Sequence, residues 1–230
     1  MLIPRRIILH NPKDYRDYHL NSKYSYDKKQ LDKIINALEY YKELAILENH
    51  NYVVFSFTVY PNKKSKFNVA DLKSIFPVDQ YFYRWTREYK DLYQVGEHYH
   101  LMVIANNTNN TRCFDLRNEI ATLKGVKACY FAPRKGHLEN SFFHNLSYES
   151  EDAVSRYCYY SKIDQKQNIT TRSYDGSRNL KPLKPVKSYD TNLWRKAQVL
   201  NQNNEIVSQN KTKQDMIFNH ATINQKQENF

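Results

Sequence analysis

Apolar residues recur at Leu31, Ile34, Ile35 and Leu38, the three-and-four spacing of an amphipathic helix. Asp27, followed three residues later by Gln30, supplies a capping pattern at its start. The spacing predicts a helix from Asp27 that fades near "LENHN". The pattern then changes period. "NYVVFSFTVY" (Asn51 to Tyr60) is β-branched and aromatic and is stopped by Pro61-Asn62, which predicts a strand. "NVADLKSIF" predicts a short helix ended by Pro77. "QYFYRWTREY" (Gln80 to Tyr89) and "GEHYHLMVIA" predict two further strands across a polar turn. "NNTNNT" reads as a loop. "RCFDLRNEIATL" reads as a helix with Phe114, Leu116, Ile120 and Leu123 on its apolar face, and "KACYFAP" as a fourth strand. After a long irregular connection, a last helix is expected from about Ser150 to Ile163, with Ser150 as N-cap.

The order is helix, strand, helix, hairpin, helix, strand, helix. It predicts an α+β fold with a central antiparallel sheet and helices packed on it. Residues 1–25 have no clear period and read as a basic, tyrosine-rich arm. Residues 26–166 form the expected domain. Residues 167–230 read as a basic, largely disordered tail. Twelve of the last thirty residues are Asn or Gln, and the apolar period is lost there. A short helix over 192–200 is the one exception expected in it.

Composition narrows the partners. Lys and Arg number 35 against 24 acids, a net charge of +11, which favours a polyanion, nucleic acid before a membrane surface. Solubility alone would also account for it. The chain has 20 Tyr, and tyrosines among basic residues suit stacking on single-stranded bases. Cys113, Cys129 and Cys158 are odd in number and not paired at metal-ligand spacing, which predicts free thiols in a reducing cytoplasm. "MLIPRRIILH" is too short and interrupted for a signal peptide or a span, and no long apolar run follows, so no membrane partner is expected.

The chemistry concentrates in two places. Strand alternation projects His98 and His100 to one side and Tyr99 to the other. Two imidazoles so placed suit one divalent ion or one phosphate. Leu101 to Ile104 is apolar on both faces, so the strand is expected to be central and rigid. If the hairpin turn centres on Tyr93, Glu88 lies opposite His98 on the same face. It would then complete a two-histidine, one-carboxylate site for Mg²⁺ or Mn²⁺. A surface carboxylate paired with Arg87 or Lys90 is the plain alternative. Glu97 is expected on the opposite face. In the last helix, Val154, Tyr157, Cys158 and Ser161 form an inward stripe at ~100° per residue. On that spacing Tyr159 shares a side with Lys162, and Tyr160 falls away from it. A nearby ammonium favours the phenolate of a tyrosine nucleophile. A packing helix with a solvated lysine is the plain alternative.

Taken together, "FSFTVY", "HYH" and "YYSK" (Tyr159 to Lys162) resemble the three motifs of the HUH endonuclease superfamily. The likeness is nearer to the YagK/YfjJ-like family of filamentous-phage-type replication initiators, on "WTREY…GEHYHLMVIAN" and the later Tyr-x-x-Lys. It covers roughly residues 27–166. The resemblance implies a metal-dependent endonuclease that nicks single-stranded or hairpin DNA, forms a 5′-phosphotyrosine bond and starts rolling-circle replication of a phage or plasmid-like element. It implies His98, His100 and Glu88 as metal ligands, Tyr159 as nucleophile and Lys162 as its aid at the phosphate. A host helicase or polymerase is a candidate partner of the tail, and oligomeric state is left open. Tyr99 stands where the family has an aliphatic residue. Tyr157 and Tyr160 remain alternatives to Tyr159, although Ser155 and Ile163 occupy the places one turn away, which favours a single nucleophile. A non-catalytic nucleic-acid-binding regulator on the same fold, a hydrolase using activated water, and a transposase of the superfamily are the rival readings.

Overall fold

In the computed structural model the described residues are 7–62, 67–90, 96–108, 114–131, 143–163 and 174–186. Within them the chain is a mixed α+β fold. The N-terminal segment carries four short strands, β1 (Ile8–Leu9), β2 (Asp14–Tyr15), β3 (Tyr18–His19) and β4 (Tyr26–Asp27). β1 pairs with β4 and β2 with β3, both antiparallel. Helix α1 (Lys28–Leu47) follows directly. Asp27 is its N-cap, and its side chain accepts from the Gln30 amide at 3.0 Å, as the capping pattern predicts.

The sheet comprises β5 (Tyr52–Pro61), β6 (Tyr81–Lys90), β7 (Gly96–Asn106), β8 (Val126–Phe131), β9 (Phe143–Asn145) and β10 (Tyr174–Gly176). Its order is β10-β6-β7-β5-β8, every ladder is antiparallel, and β9 adds to β5 beside β8. Strand β7 is central, as its unbroken apolar run predicts. Pro61 lacks an amide for the ladder, and the β5–β8 register shifts between Tyr60 and Pro61. Gly96 opens β7 at φ 67°, a left-handed conformation that costs glycine little. No helix among the described residues is long and apolar enough to cross a membrane.

Two layers cover the sheet. One face packs on α1 and on α4 (Ser150–Tyr157), with Leu31, Ile35, Leu38, Val154 and Tyr157 fully buried against Val54, Met102 and Ile104. The other packs on α2 (Leu72–Ile75) and α3 (Phe114–Thr122), with Phe55, Phe57, Leu101, Val103, Leu72 and Ile120 in one cluster. Each such side chain taken from water stabilises by about 1.5–3 kcal/mol.

Three expectations are corrected. Residues 167–230 are not wholly a tail. β10 pairs with β6, and Leu183 and Val186 are buried on opposite faces of the sheet, so the folded unit runs past residue 166. The arm over 1–25 is not featureless either, since residues 7–27 form two small ladders and bury Leu20. The last helix is shorter than expected. It spans Ser150–Tyr157 with Glu149 as N-cap, and Cys158–Ser161 continues as a 3-10 turn. Arg112 and Cys113, half of the loop over 106–111, the hairpin turn over 91–95 and the expected helix over 192–200 lie outside the described residues.

Candidate metal centre

The hairpin register decides the site. Glu88 stands directly opposite His98, and Thr86 opposite His100. On its other edge β7 pairs with β5, which sets Thr58 beside His100. Directly opposed residues share a face of the sheet. Glu88, His98, His100 and Thr58 therefore meet on the α1/α4 face. Glu97 and Arg87 lie on the other face and form an ion pair there, and Tyr99 donates to Glu97 at 2.8 Å.

Glu88 is 1 % exposed, far from the surface carboxylate of the plain alternative. Its Oε2 lies 3.8 Å from His98 Nε2 and 3.5 Å from His100 Nε2. One donor atom from each of the three residues falls within 4.8 Å of the others. Two ligands held at ~2.1 Å from one ion stand ~3.0–3.5 Å apart at octahedral or tetrahedral angles, so this nitrogen-nitrogen-oxygen set fits a divalent cation after small side-chain movement.

The outer atoms set the imidazoles for ligation. His98 Nδ1 lies 3.3 Å from the Gly96 carbonyl, which only accepts, so Nδ1 carries the proton and Nε2 presents its lone pair. His100 Nδ1 lies 3.2 Å from Thr58 Oγ1, a contact that holds the ring in place. Burial, and then the neighbouring His100, hold the His98 imidazole below its ordinary pKa and so favour the neutral, ligating form. Both rings are wedged by tyrosines. Tyr60 stacks on His98 with centroids 5.8 Å apart, and Tyr160 stacks on His100 at 5.3 Å.

Lys162 is fully buried, and its Nζ lies 3.3 Å from the same Glu88 Oε2. That ammonium also sits 3.3 Å from the ring centroid of half-buried Tyr159. Tyr24 meets the Tyr159 ring edge-on at 5.2 Å. Thus Glu88, His98, His100 and Lys162 surround one carboxylate oxygen, and Tyr159 joins them through Lys162. The backbone of Lys162 is pinned from both ends of the chain. It bridges to Tyr26 of β4, the Ile163 amide donates to Ser25 at 2.9 Å, and the Tyr174 hydroxyl of β10 donates to the Lys162 carbonyl at 3.1 Å.

Two placements differ from the sequence reading. Tyr160, expected only to turn away from Lys162, meets the histidine pair. The 3-10 turn advances ~120° per residue instead of ~100°, and swings its ring onto His100. Burial pushes the Tyr160 phenol up to about 12, and it raises the fully buried Tyr157 phenol as well. Tyr157, Cys158 and Ser161 do point inward as the stripe predicts. Tyr60 was missed as a partner of the pair, and Thr58 entered only through a motif. The β5–β7 register would have found both, because Thr58 and Tyr60 alternate onto the histidine face.

No protein-family model, curated protein or solved structure matches this chain.

Proposed function

We propose that the protein is a metal-dependent tyrosine endonuclease of the HUH type, which nicks single-stranded DNA and starts rolling-circle replication of a phage or plasmid-like element. One observation carries the reading. A buried carboxylate shares two imidazoles and a lysine ammonium, with a half-buried phenol ring on that ammonium. Glu88, His98 and His100 would hold Mg²⁺ or Mn²⁺, which supplies Lewis acidity at a phosphate oxygen.

The chain's own groups do the rest. Its surplus of cations gathers the strand in a salt-dependent way. Tyr159 is more exposed than Tyr157 and Tyr160, and it is the phenol with an ammonium against its ring. Its hydroxyl oxygen attacks phosphorus, and its proton passes to solvent. The bond to the 3′ oxygen breaks, and that oxygen takes up a proton. A 5′-phosphotyrosine and a free 3′-hydroxyl result, the latter a primer for a polymerase. Lys162 offsets charge developing beside Tyr159.

A 3′-labelled single-stranded DNA pool incubated with Mn²⁺ tests this. Wild type acquires a covalently linked label on denaturing gels, and Tyr159→Phe and His98→Ala do not. An adduct undiminished in Tyr159→Phe removes Tyr159 as nucleophile.

A second reading, a non-catalytic nucleic-acid-binding regulator, draws on the Lys162–Glu88 pair, because that ammonium already serves as counter-ion to the carboxylate. It predicts no adduct in any variant and strand binding that chelator leaves unchanged.

A further inference from the structure

We propose that the cleft between α1 and residues 175–180, at the far end of β6 from Glu88, is a second binding site that takes a phosphate of a single-stranded nucleic acid. Its volume is ≈ 470 Å³, of ligand size. Lys33, Arg84 and Arg178 line it against one acid, Asp175, and Asn36 and Ser177 add polar groups.

Arg84 is the informative member. It is 6 % exposed, yet it donates to neutral acceptors, Gln30 Oε1 at 2.7 Å and the Ser177 carbonyl at 3.3 Å. Among the described residues it has no carboxylate within ion-pair distance, although Asp175 contributes charge nearby. Joining β6 to α1 and β10 explains those hydrogen bonds, but a neutral amide would serve for that. A buried guanidinium is costly unless an anion faces it. Partial desolvation, and then Arg84 and Lys29, hold the Lys33 ammonium below its ordinary value against the opposing pull of Asp175 and Asp27.

Gly176 pairs with Arg84 and lets β10 close on β6, since a Cβ there would meet the Tyr83 carbonyl oxygen at 2.2 Å. Arg178 also borders a neighbouring cleft of ≈ 370 Å³, so its guanidinium can serve a strand that runs past the phosphate. Arg84 and Glu88 share a face four residues apart, roughly 13 Å along the strand. A few nucleotides of a strand held at the metal centre cover that span. The choice of a strand over a free nucleotide rests on the nickase reading; the phosphate chemistry does not.

The test uses the full chain in excess chelator, so the metal centre plays no part. A labelled strand of roughly a dozen nucleotides is bound with and without AMP as competitor. Lys33→Gln/Arg178→Gln alters two exposed side chains and is expected to weaken strand binding about tenfold or more. Its log–log salt slope should be shallower by about one to two. Lys124→Gln/Lys127→Gln, with the same charge loss near and on β8, should move binding far less. Loss of AMP competition alone, with strand affinity unmoved, keeps the phosphate site and assigns it to free nucleotides. Wild-type affinity for both probes in the cleft variant, or equal losses in the two pairs, overturns the site. Absence of a covalent adduct in the separate Mn²⁺ assay bears on the nickase reading and not on this one.

Discussion

The two faces of the sheet are written in the same strands by alternate residues, yet they do different work. On the α2/α3 face, β5 contributes Val53, Phe55, Phe57 and Val59, and β7 contributes Tyr99, Leu101, Val103 and Ala105, all buried. That face is apolar except at the hairpin end, where Arg87 and Glu97 pair. On the α1/α4 face the same strands begin apolar, with Tyr52, Val54 and Ile104, and then turn polar. Ser56, Thr58, Arg84, Thr86, Glu88, His98 and His100 follow in register. The first face is core over most of its length, whereas the second is core over one half and carries the candidate metal site on the other. Strand alternation makes this separation possible, because a residue changed for function leaves its neighbours in the core untouched.

The comparison is broken most sharply by deleting core. Phe57→Ala removes a ring that is fully buried between Phe55 and Phe131. It should cost about 3–5 kcal/mol in denaturant titration and leave Glu88, His98 and His100 in place. A loss below ~1 kcal/mol would contradict the division of labour.

On the polar face, Glu88→Gln should abolish Mn²⁺ binding by calorimetry and also destabilise by about 3 kcal/mol, because it strips a carboxylate from a buried ammonium. Adding Lys162→Met should restore most of that stability and none of the metal affinity. Additive losses in the double variant would show that the two groups are not coupled.

A smaller effect of opposite sign is expected at Thr86. Its hydroxyl is buried with no hydrogen-bond partner among the described residues. Thr86→Val should therefore stabilise by about 1 kcal/mol in thermal melts. Destabilisation instead would mean that the hydroxyl has a partner in solution.

The smallest effect is read by pH. Burial pushes the thiols of Cys129, on the apolar face, and Cys158, under the polar one, up to about 12. A group raised on folding adds stability that is complete below its unfolded value, ~8.5, and drains as pH climbs toward the folded one. Native protein should thus keep both thiols inert to disulfide reagents at pH 7–8 and lose stability only above ~9. Rapid labelling of Cys158 at pH 7 would show the polar face to be loosely packed.

Much of the site was readable before any coordinates. Symmetric pairing about a turn at Tyr93 puts Glu88 opposite His98 by counting alone, and the ladder has that register. The capping of α1 by Asp27 is equally local. What escaped were contacts far apart in sequence. β9 and β10 are three residues each, too short for a period to show, and each exists because a longer strand offers an edge. The passage from α-helix to 3-10 turn after Tyr157 also left no mark in the spacing, and with it went the placement of Tyr160.

Local pattern, then, determined the strands, their alternation, the hairpin and the meeting of Glu88, His98 and His100, because periods of two and 3.6 residues act over a few neighbours. Tertiary structure alone decided the burial of Lys162. Its ammonium reaches Glu88 because Ser25 and Tyr174, from the segments that read as arm and tail, close around it together with Tyr26 at the domain's first residue. No local period encodes such a meeting. A lysine that reads as solvated in its helix is driven inside when a buried carboxylate and backbone partners from both ends of the chain compensate its charge.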